Sequence, residues 1–241
     1  TVNENVPLVE GIDFGNQRVV NLGPDQQGNE GSSLVFGAPV ATLPPVSRIA
    51  DLHAGSFSSY ASDFVEYDSK VAFISSMDGH LTQILRYDGH EVAPLINDWA
   101  SLGLSMPSQL TLFNGDLFFT ATSDLGTELF RYNGLTVDRV MAPPSFYGET
   151  GPEYLFVWDG QLIFAHDDDG NGAELWSYNG TTAQMLADIN PSGGSYPYGF
   201  VDYDGVLYFS AYRPDVGYEL FRYTAKDGVA LALNLRPGVS S

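Results

Sequence analysis

The sequence has no cysteine and very few basic residues, and both absences restrict what the protein can do. Without cysteine there is no disulfide framework, which a large β core does not need. Acidic residues outnumber basic ones 30 to 10, only Lys70 and Lys226 are lysines, and the formal net charge is −20. Such a chain repels phosphate backbones, which argues against nucleic acids and anionic membranes as partners. Its carboxylates suit hard cations such as calcium.

The sequence also lacks long apolar runs, helical periodicity and the common catalytic motifs. No run approaches the ~20 residues that span a bilayer, and no stretch carries an apolar stripe at helical spacing. G-x-S-x-G, H-E-x-x-H and a phosphate-binding glycine loop are absent, and the four histidines lie at unrelated positions. We therefore expect an all-β chain with no membrane insertion and no enzymatic activity. A glycan-active hydrolase is the less favoured alternative, because no pair of carboxylates stands out.

What the sequence has is a repeated phrase. The segment Glu174–Gly180 (ELWSYNG) has close copies at 83–89 and 128–134 and a shorter one at 219–223. The aliphatic residues at its second position are spaced 45, 46 and 45 residues apart: Ile84, Leu129, Leu175 and Leu220. A fixed period in this range indicates a repeat architecture.

One unit can be read as four strands. In the last copy, Phe200–Tyr203 alternates and ends at the turn pair Asp204-Gly205, and 206–212 is rich in β-branched and aromatic residues. Third and fourth strands follow at 218–223 and 229–233. The first turn recurs in the earlier copies as Asp68-Ser69, Asn114-Gly115 and Asp159-Gly160. Four short antiparallel strands in each unit are typical of a β-propeller blade.

The repeats predict a single β-propeller over residues 1–241, with five blades of about 45–47 residues. The predicted blades are a diverged copy at 1–47 and clear repeats at 48–95, 96–140, 141–186 and 187–233. Residues 234–241 match the start of another linker. Either this segment closes the ring by pairing with 6–12, or the array continues.

The motif resembles the ELW-type repeats of secreted bacterial proteins. The residues that carry the resemblance are Asp188-Ile189-Asn190-Pro191, Gly205, Leu207–Ala211, Gly217 and Glu219-Leu220-Phe221. The resemblance covers about residues 48–241 and implies a propeller-like extracellular module with no assigned chemistry. In length and period the chain is also similar to tachylectin-type five-bladed lectins. These likenesses favour a secreted or cell-surface protein.

Each predicted inter-blade linker carries at least one large aromatic residue. They are Phe57 and Tyr60, then Trp99, then Phe146 and Tyr147, and finally Tyr196 and Tyr198. In a propeller these linkers emerge on the same face as the loops between second and third strands. Because an aromatic ring stacks on the apolar face of a sugar, this face is the candidate glycan-binding surface. Of its aromatic members, Trp99 is the one we most expect to be exposed. The alternative is that the aromatics fill the seams between blades.

The loop between the second and third strands of the third repeat is acidic. It contains D-x-D-x-N-G at Asp167, Asp169, Asn171 and Gly172, followed by Glu174. Alternate oxygens at this spacing can converge on calcium, while glycine permits the turn. A solvated acidic turn is the alternative interpretation.

The glutamates that open the repeated phrase are Glu128, Glu174 and Glu219. Their fixed position favours a structural role, such as accepting backbone N–H bonds from an adjacent loop. We therefore expect a lectin-like extracellular module that binds carbohydrate and is stabilised by calcium. The alternative is a structural or protein-interaction propeller without a small ligand. Exposed linker aromatics would favour the lectin, and buried ones the scaffold.

Overall fold

The structure is a computed structural model that describes residues 48–50, 52, 58–77, 82–97, 99–141, 151–167 and 172–235. The chain divides into two compact units, residues 1–49 and 50–241. The described part of the second unit is all-β and forms four four-stranded antiparallel sheets. This confirms the predicted all-β class and the four-stranded repeat unit, whereas the number of five blades stays a prediction. The predicted first blade, residues 1–47, lies outside the described residues.

Each sheet is formed by four strands that are consecutive along the chain. The first two sheets comprise β1 (Ser62–Tyr67), β2 (Lys70–Ser75), β3 (Gln83–Tyr87) and β4 (Val92–Pro94), then β5 (Ser105–Phe113), β6 (Asp116–Ser123), β7 (Gly126–Tyr132) and β8 (Val137–Arg139). The last two comprise β9 (Glu153–Trp158), β10 (Gln161–His166), β11 (Glu174–Tyr178) and β12 (Ala183–Ala187), then β13 (Tyr198–Tyr203), β14 (Val206–Arg213), β15 (Gly217–Thr224) and β16 (Gly228–Leu233). Within the described ranges, no helix is long and apolar enough to cross a membrane.

The turn between the first and second strands is the same in all four sheets. Both central residues of each turn have positive φ, for example 50° and 57° at Asp68 and Ser69, and 52° and 85° at Asn114 and Gly115. Two positive values define the type I′ turn, whose twist matches that of paired strands. The predicted Asp/Asn-Gly turns are therefore confirmed.

The first strand of every sheet contains a β-bulge. The strand register shifts once in β1, β9 and β13, and twice in β5. One residue at each bulge has positive φ, and these residues follow the repeat period: Asp63, Gln109, Tyr154 and Gly199. The first strands of consecutive sheets contact one another. The bulge therefore recurs where neighbouring sheets meet.

The hydrophobic core lies between consecutive sheets. One face of each sheet packs against the opposite face of the next. Between the third and fourth sheets, for example, Ile163 and Leu175 are 0% exposed beside Phe209 and Phe221. Trp176 is also buried, as the repeat predicted. Alternating strand residues thus serve two different interfaces, which explains why the second and third positions of the repeated phrase are both apolar.

Trp99 corrects one prediction. It lies in a short 3₁₀ turn at Trp99–Leu102 and is only 5% exposed, with its ring 5.9 Å from the ring of Phe119. The expectation that Trp99 is exposed is therefore wrong. An indole is large enough to fill the gap where the linker crosses from the first sheet to the second, and its burial removes a large apolar surface from water.

Two arginines at the fourth position of the repeated phrase pair with carboxylates. Arg86 contacts Asp88 at 2.9 Å, and Arg131 contacts Asp116 at 2.6 Å. Both pairs are partly exposed, so each contributes little to stability.

Candidate functional site

The linkers and the loops between second and third strands meet at the same end of the sheets. In the fourth sheet the amide of Tyr212, at the end of β14, donates to the carbonyl of Ser195 in the linker at 2.7 Å. In the first sheet the amide of Ser76 donates to the carbonyl of Ser59 at 3.2 Å. The type I′ turns lie at the opposite end. This linker-loop face is therefore the surface on which the candidate residues can come together.

Five tyrosines gather on this face beside the third and fourth sheets. We call them the tyrosine cluster: Tyr154, Tyr196, Tyr198, Tyr212 and Tyr218. Ring centroids lie 6.1 Å apart for Tyr154 and Tyr198, 6.3 Å for Tyr198 and Tyr218, and 5.4 Å for Tyr212 and Tyr218. Tyr154, Tyr196, Tyr198 and Tyr218 remain 50%, 48%, 44% and 48% exposed. Ring contacts thus link every member except Tyr196, and the four exposed members present about half of their surface to solvent.

Backbone geometry determines where two of these rings stand. Tyr154 is the bulge residue of β9, with φ 60°, and Tyr196 precedes β13 with φ 48°. The amide of Tyr196 donates to the carbonyl of Ala173 at 2.9 Å, which ties the linker to the loop before β11. A Cβ on Gly194 would lie 2.7 Å from the Tyr196 ring, so only glycine leaves room for that ring position. The linker glycine is thus part of how the cluster is built.

The environment of one member of the cluster, Tyr218, favours its protonated hydroxyl. Burial raises the pKa of the Tyr218 hydroxyl above its ordinary value, and the neighbouring Tyr196, Tyr198 and Tyr154 raise it further. A tyrosine with a raised pKa keeps its proton at neutral pH and can both donate and accept a hydrogen bond. The surface therefore combines apolar ring faces with neutral hydroxyl groups.

The linker that carries Tyr196 is held by a buried carboxylate. Both oxygens of Glu174 accept hydrogen bonds: Oε2 from the Ile189 amide at 2.8 Å and the Ser195 hydroxyl at 2.6 Å, and Oε1 from the Ser195 amide at 2.9 Å and the Asn190 amide at 3.3 Å. Burial raises the pKa of Glu174, while these hydrogen bonds oppose the shift.

The structural interpretation of the repeated glutamates is confirmed. Glu174 anchors the linker, and Glu219 accepts from the Leu235 amide at 2.8 Å in the same way. Glu128 instead forms an ion pair with Arg139 at 2.6 Å. Because four protein donors occupy the Glu174 carboxylate, this side chain is committed to the linker.

The other predicted site residues fall in three groups. Tyr196 and Tyr198 belong to the tyrosine cluster, and Tyr60 is 81% exposed at the repeat position equivalent to Tyr196. Trp99 is buried, as described above. The remaining linker aromatics, Phe57, Phe146 and Tyr147, lie outside the described residues.

The predicted calcium loop lies partly outside the described residues. Asp169 and Asn171 belong to the part that is not described, whereas Asp167 is 7% exposed at the end of the β10 segment. Within the described ranges, no three acidic or histidine side chains are grouped closely enough to hold a metal ion.

Sequence reasoning missed three members of the cluster, Tyr154, Tyr212 and Tyr218. They lie on strands, whereas the sequence predicted the binding aromatics in the linkers. A usable signal did exist. Tyr212 and Tyr218 flank the loop between β14 and β15, and hairpin pairing places them directly opposite each other.

No protein-family model and no curated protein matches this chain. Solved structures do match. The β-propeller domain of the Trilobed protease from Pyrococcus furiosus, described as having an open velcro topology, matches with TM-score 0.51 at 13% identity, over 74% of this chain and 56% of that one. The acylaminoacyl peptidase of Pyrococcus horikoshii matches with TM-score 0.50 at 11% identity, over 71% of this chain and 26% of that one. A puromycin hydrolase matches with TM-score 0.50 at 12% identity, over 75% and 30%.

At these identities the likeness concerns the fold alone. It identifies the four described sheets as β-propeller blades, because the first of these structures is itself a β-propeller domain. This chain spans about half of that domain, and a smaller share of the two hydrolytic enzymes.

Proposed function

We propose that this protein is a secreted or cell-surface β-propeller that binds carbohydrate without catalysing a reaction, with the tyrosine cluster as its sugar-binding surface. The observation that carries the proposal is the gathering of five tyrosines on the linker-loop face, of which four are linked by ring contacts and four are about half exposed. A contiguous exposed patch of aromatic rings is typical of a binding surface, because a ligand that covers the rings removes apolar area from water.

The chemistry of the cluster suits a sugar ring. The apolar face of a pyranose can stack on a tyrosine ring, and the sugar hydroxyls can exchange hydrogen bonds with protonated tyrosine hydroxyls. A net charge of −20 disfavours sulfated or phosphorylated glycans, so neutral glycans are the expected ligands.

A glycan array probed with the purified chain tests the proposal. Tyr196→Ala and Tyr218→Ala should each weaken every hit at least about tenfold, because each removes one stacking surface. Tyr203→Ala is the matched control: Tyr203 is 71% exposed but lies beside the Asp204-Gly205 turn, at the opposite end of the sheet. An array without hits, or hits that survive both cluster substitutions, would refute the proposal.

Calcium forms part of the proposal as a stabilising ion for the loop that begins at Asp167. The array and a thermal unfolding experiment should be run with calcium and again with EDTA. A ligand that binds the folded state raises its melting temperature. A melting temperature that is the same in both buffers would remove calcium from the proposal.

A protein-interaction module is the second candidate, and one observation favours it. On the face of the fourth sheet that points away from the third, Tyr203 and Leu220 are 71% and 36% exposed. Their repeat equivalents in the third sheet, Trp158 and Leu175, are 3% and 0% exposed. Light scattering over a concentration series would detect self-association through this face. Association that is lost in Leu220→Glu, together with an empty glycan array, would favour this second function.

A further inference from the structure

A cavity of about 550 Å³ lies beside the second sheet, away from the tyrosine cluster. It opens between the linker that follows Trp99 and the turn that joins β6 to β7. The residues that determine its chemistry are Ser101, Leu102, Leu104, Asp124, Phe130 and Arg139. Its volume falls within the range of about 300–1,000 Å³ that is usual for small-molecule sites.

The apolar wall of this cavity is rigid. Leu104 and Phe130 are 6% and 5% exposed and belong to the core between the first and second sheets. The buried indole of Trp99 anchors the 3₁₀ turn that carries Ser101 and Leu102. Leu102 itself is 38% exposed. A ligand would therefore meet a preformed apolar surface and not a mobile loop.

The polar side of the cavity contains a guanidinium group in a fixed orientation. Arg139 pairs directly with Phe130 across the β7–β8 ladder. Its Nε contacts Glu128 Oε1 at 2.6 Å, and its Nη2 donates to Glu128 Oε2 at 3.2 Å. Glu128 is 2% exposed and also accepts a hydrogen bond from the Ser123 hydroxyl. Two contacts to one buried carboxylate hold the guanidinium plane in place.

The charges of the cavity select against anions. Arg139 is balanced by Glu128, and Asp124 adds one further negative charge. The site thus carries about one net negative charge on a chain that is already strongly acidic. What remains is a donor, Arg139, and an acceptor, Asp124, that line the same cavity beside an apolar wall.

We infer that this cavity is a second binding site, independent of the tyrosine cluster, for a neutral sugar that presents two adjacent hydroxyl groups. One hydroxyl accepts a hydrogen bond from Arg139 and the other donates to Asp124, while the carbon side of the ring lies on Leu102 and Leu104. The ligand class rests on the proposed function, but the site itself rests on different residues.

Saturation-transfer NMR and calorimetry with the methyl glycosides of glucose, galactose and mannose test this inference, with N-acetylneuraminic acid as the anionic probe. Asp124→Ala should raise the Kd of a neutral glycoside about tenfold or more, because it removes a hydrogen bond to a charged group. Leu102→Trp should abolish binding by filling the cavity. Asp215→Ala is the matched control, because Asp215 holds the equivalent loop position in the fourth sheet.

A fourth variant, Tyr196→Ala combined with Tyr218→Ala, removes the tyrosine cluster and is the background in which Asp124→Ala and Leu102→Trp are measured. The inference predicts that a neutral glycoside still binds this variant, and that its Kd rises about tenfold or more when Asp124→Ala is added. Binding that is lost only in the tyrosine variant would overturn the second site and leave the proposed function intact. Binding of N-acetylneuraminic acid that is lost in Arg139→Lys would overturn the neutral-ligand assignment. Circular dichroism and the melting temperature of each variant verify that it is folded.

Discussion

Replacing Glu174 should loosen the linker that carries Tyr196, by an amount that the structure allows us to estimate. Glu174 is 5% exposed, and its two oxygens receive four hydrogen bonds. Glu174→Ala leaves the Ile189 amide and the Ser195 hydroxyl buried without this acceptor. The Ser195 amide keeps a second partner, the Ala173 carbonyl at 3.0 Å.

The expected loss of stability follows from counting these donors. Each buried donor without a partner costs about 1–3 kcal/mol, so the two donors lost in Glu174→Ala should lower the free energy of unfolding by about 2–6 kcal/mol. Glu174→Gln keeps one acceptor oxygen. If the new NH₂ group replaces Oε1, two hydrogen bonds are affected: the long one from the Asn190 amide, and the one from the Ser195 amide, which has a second acceptor. The expected loss is then about 1–2 kcal/mol.

Equilibrium unfolding in urea, followed by tryptophan fluorescence, measures both losses. Glu91→Gln is the matched control, because Glu91 is an exposed glutamate and its replacement should change the free energy by less than about 0.5 kcal/mol. The reasoning fails if Glu174→Ala and Glu174→Gln are equally stable, or if both lie within the range of the control.

Three further predictions concern local geometry and charge. Gly194→Ala should displace the Tyr196 ring and weaken glycan binding, as NMR shifts of that tyrosine would reveal, because the new Cβ would lie 2.7 Å from the ring. Ser69→Gly should stabilise the chain by about 0.5–1 kcal/mol in urea unfolding, because Ser69 has φ 57° at a turn position where three repeats use glycine. The pKa of Asp88 is lowered from 3.8 to about 2 by the backbone amides of Glu91 and His90 and by Arg86. Its stabilising effect should therefore be complete above pH 3.8 and be lost as the pH falls through about 2. Asp88→Asn, an amide that cannot titrate, should remove this acid dependence, and an NMR pH titration of the Asp88 carboxylate that gives an unshifted pKa would contradict the reasoning.

The strands and turns could be predicted from the sequence because turn chemistry is local. Asn114 and Gly115 adopt the left-handed backbone whatever surrounds them, and the 45-residue spacing then transfers one interpretation to every repeat. The bulges were not predicted. Their residues, such as Asp63 and Gln109, share no side-chain type, so no motif marks them.

The site was harder to predict because exposure is a tertiary property. A linker aromatic can fill a seam or face a ligand, and Trp99 and Tyr196 have the same kind of sequence context with opposite outcomes. The difference lies in what stands beneath each ring. Trp99 fills a gap above Phe119. Tyr196 instead lies against the backbone of Gly194, where there is no gap for the ring to fill.

The bulge in each first strand has a consequence for how such a protein can diversify. Side chains at the bulges link consecutive sheets in one part of the molecule. Asp63 Oδ2 accepts from the backbone amide of Gln109 at 3.2 Å, and Gln109 Oε1 accepts from the backbone amide of Leu155 at 3.1 Å. In β9 the same backbone position carries Tyr154 and supplies a ring to the tyrosine cluster. Because the extra residue takes no part in the strand ladder, its side chain can change from a cross-link to a recognition element without altering strand register. Under the proposed function, these bulge positions are targets for changing ligand preference one blade at a time.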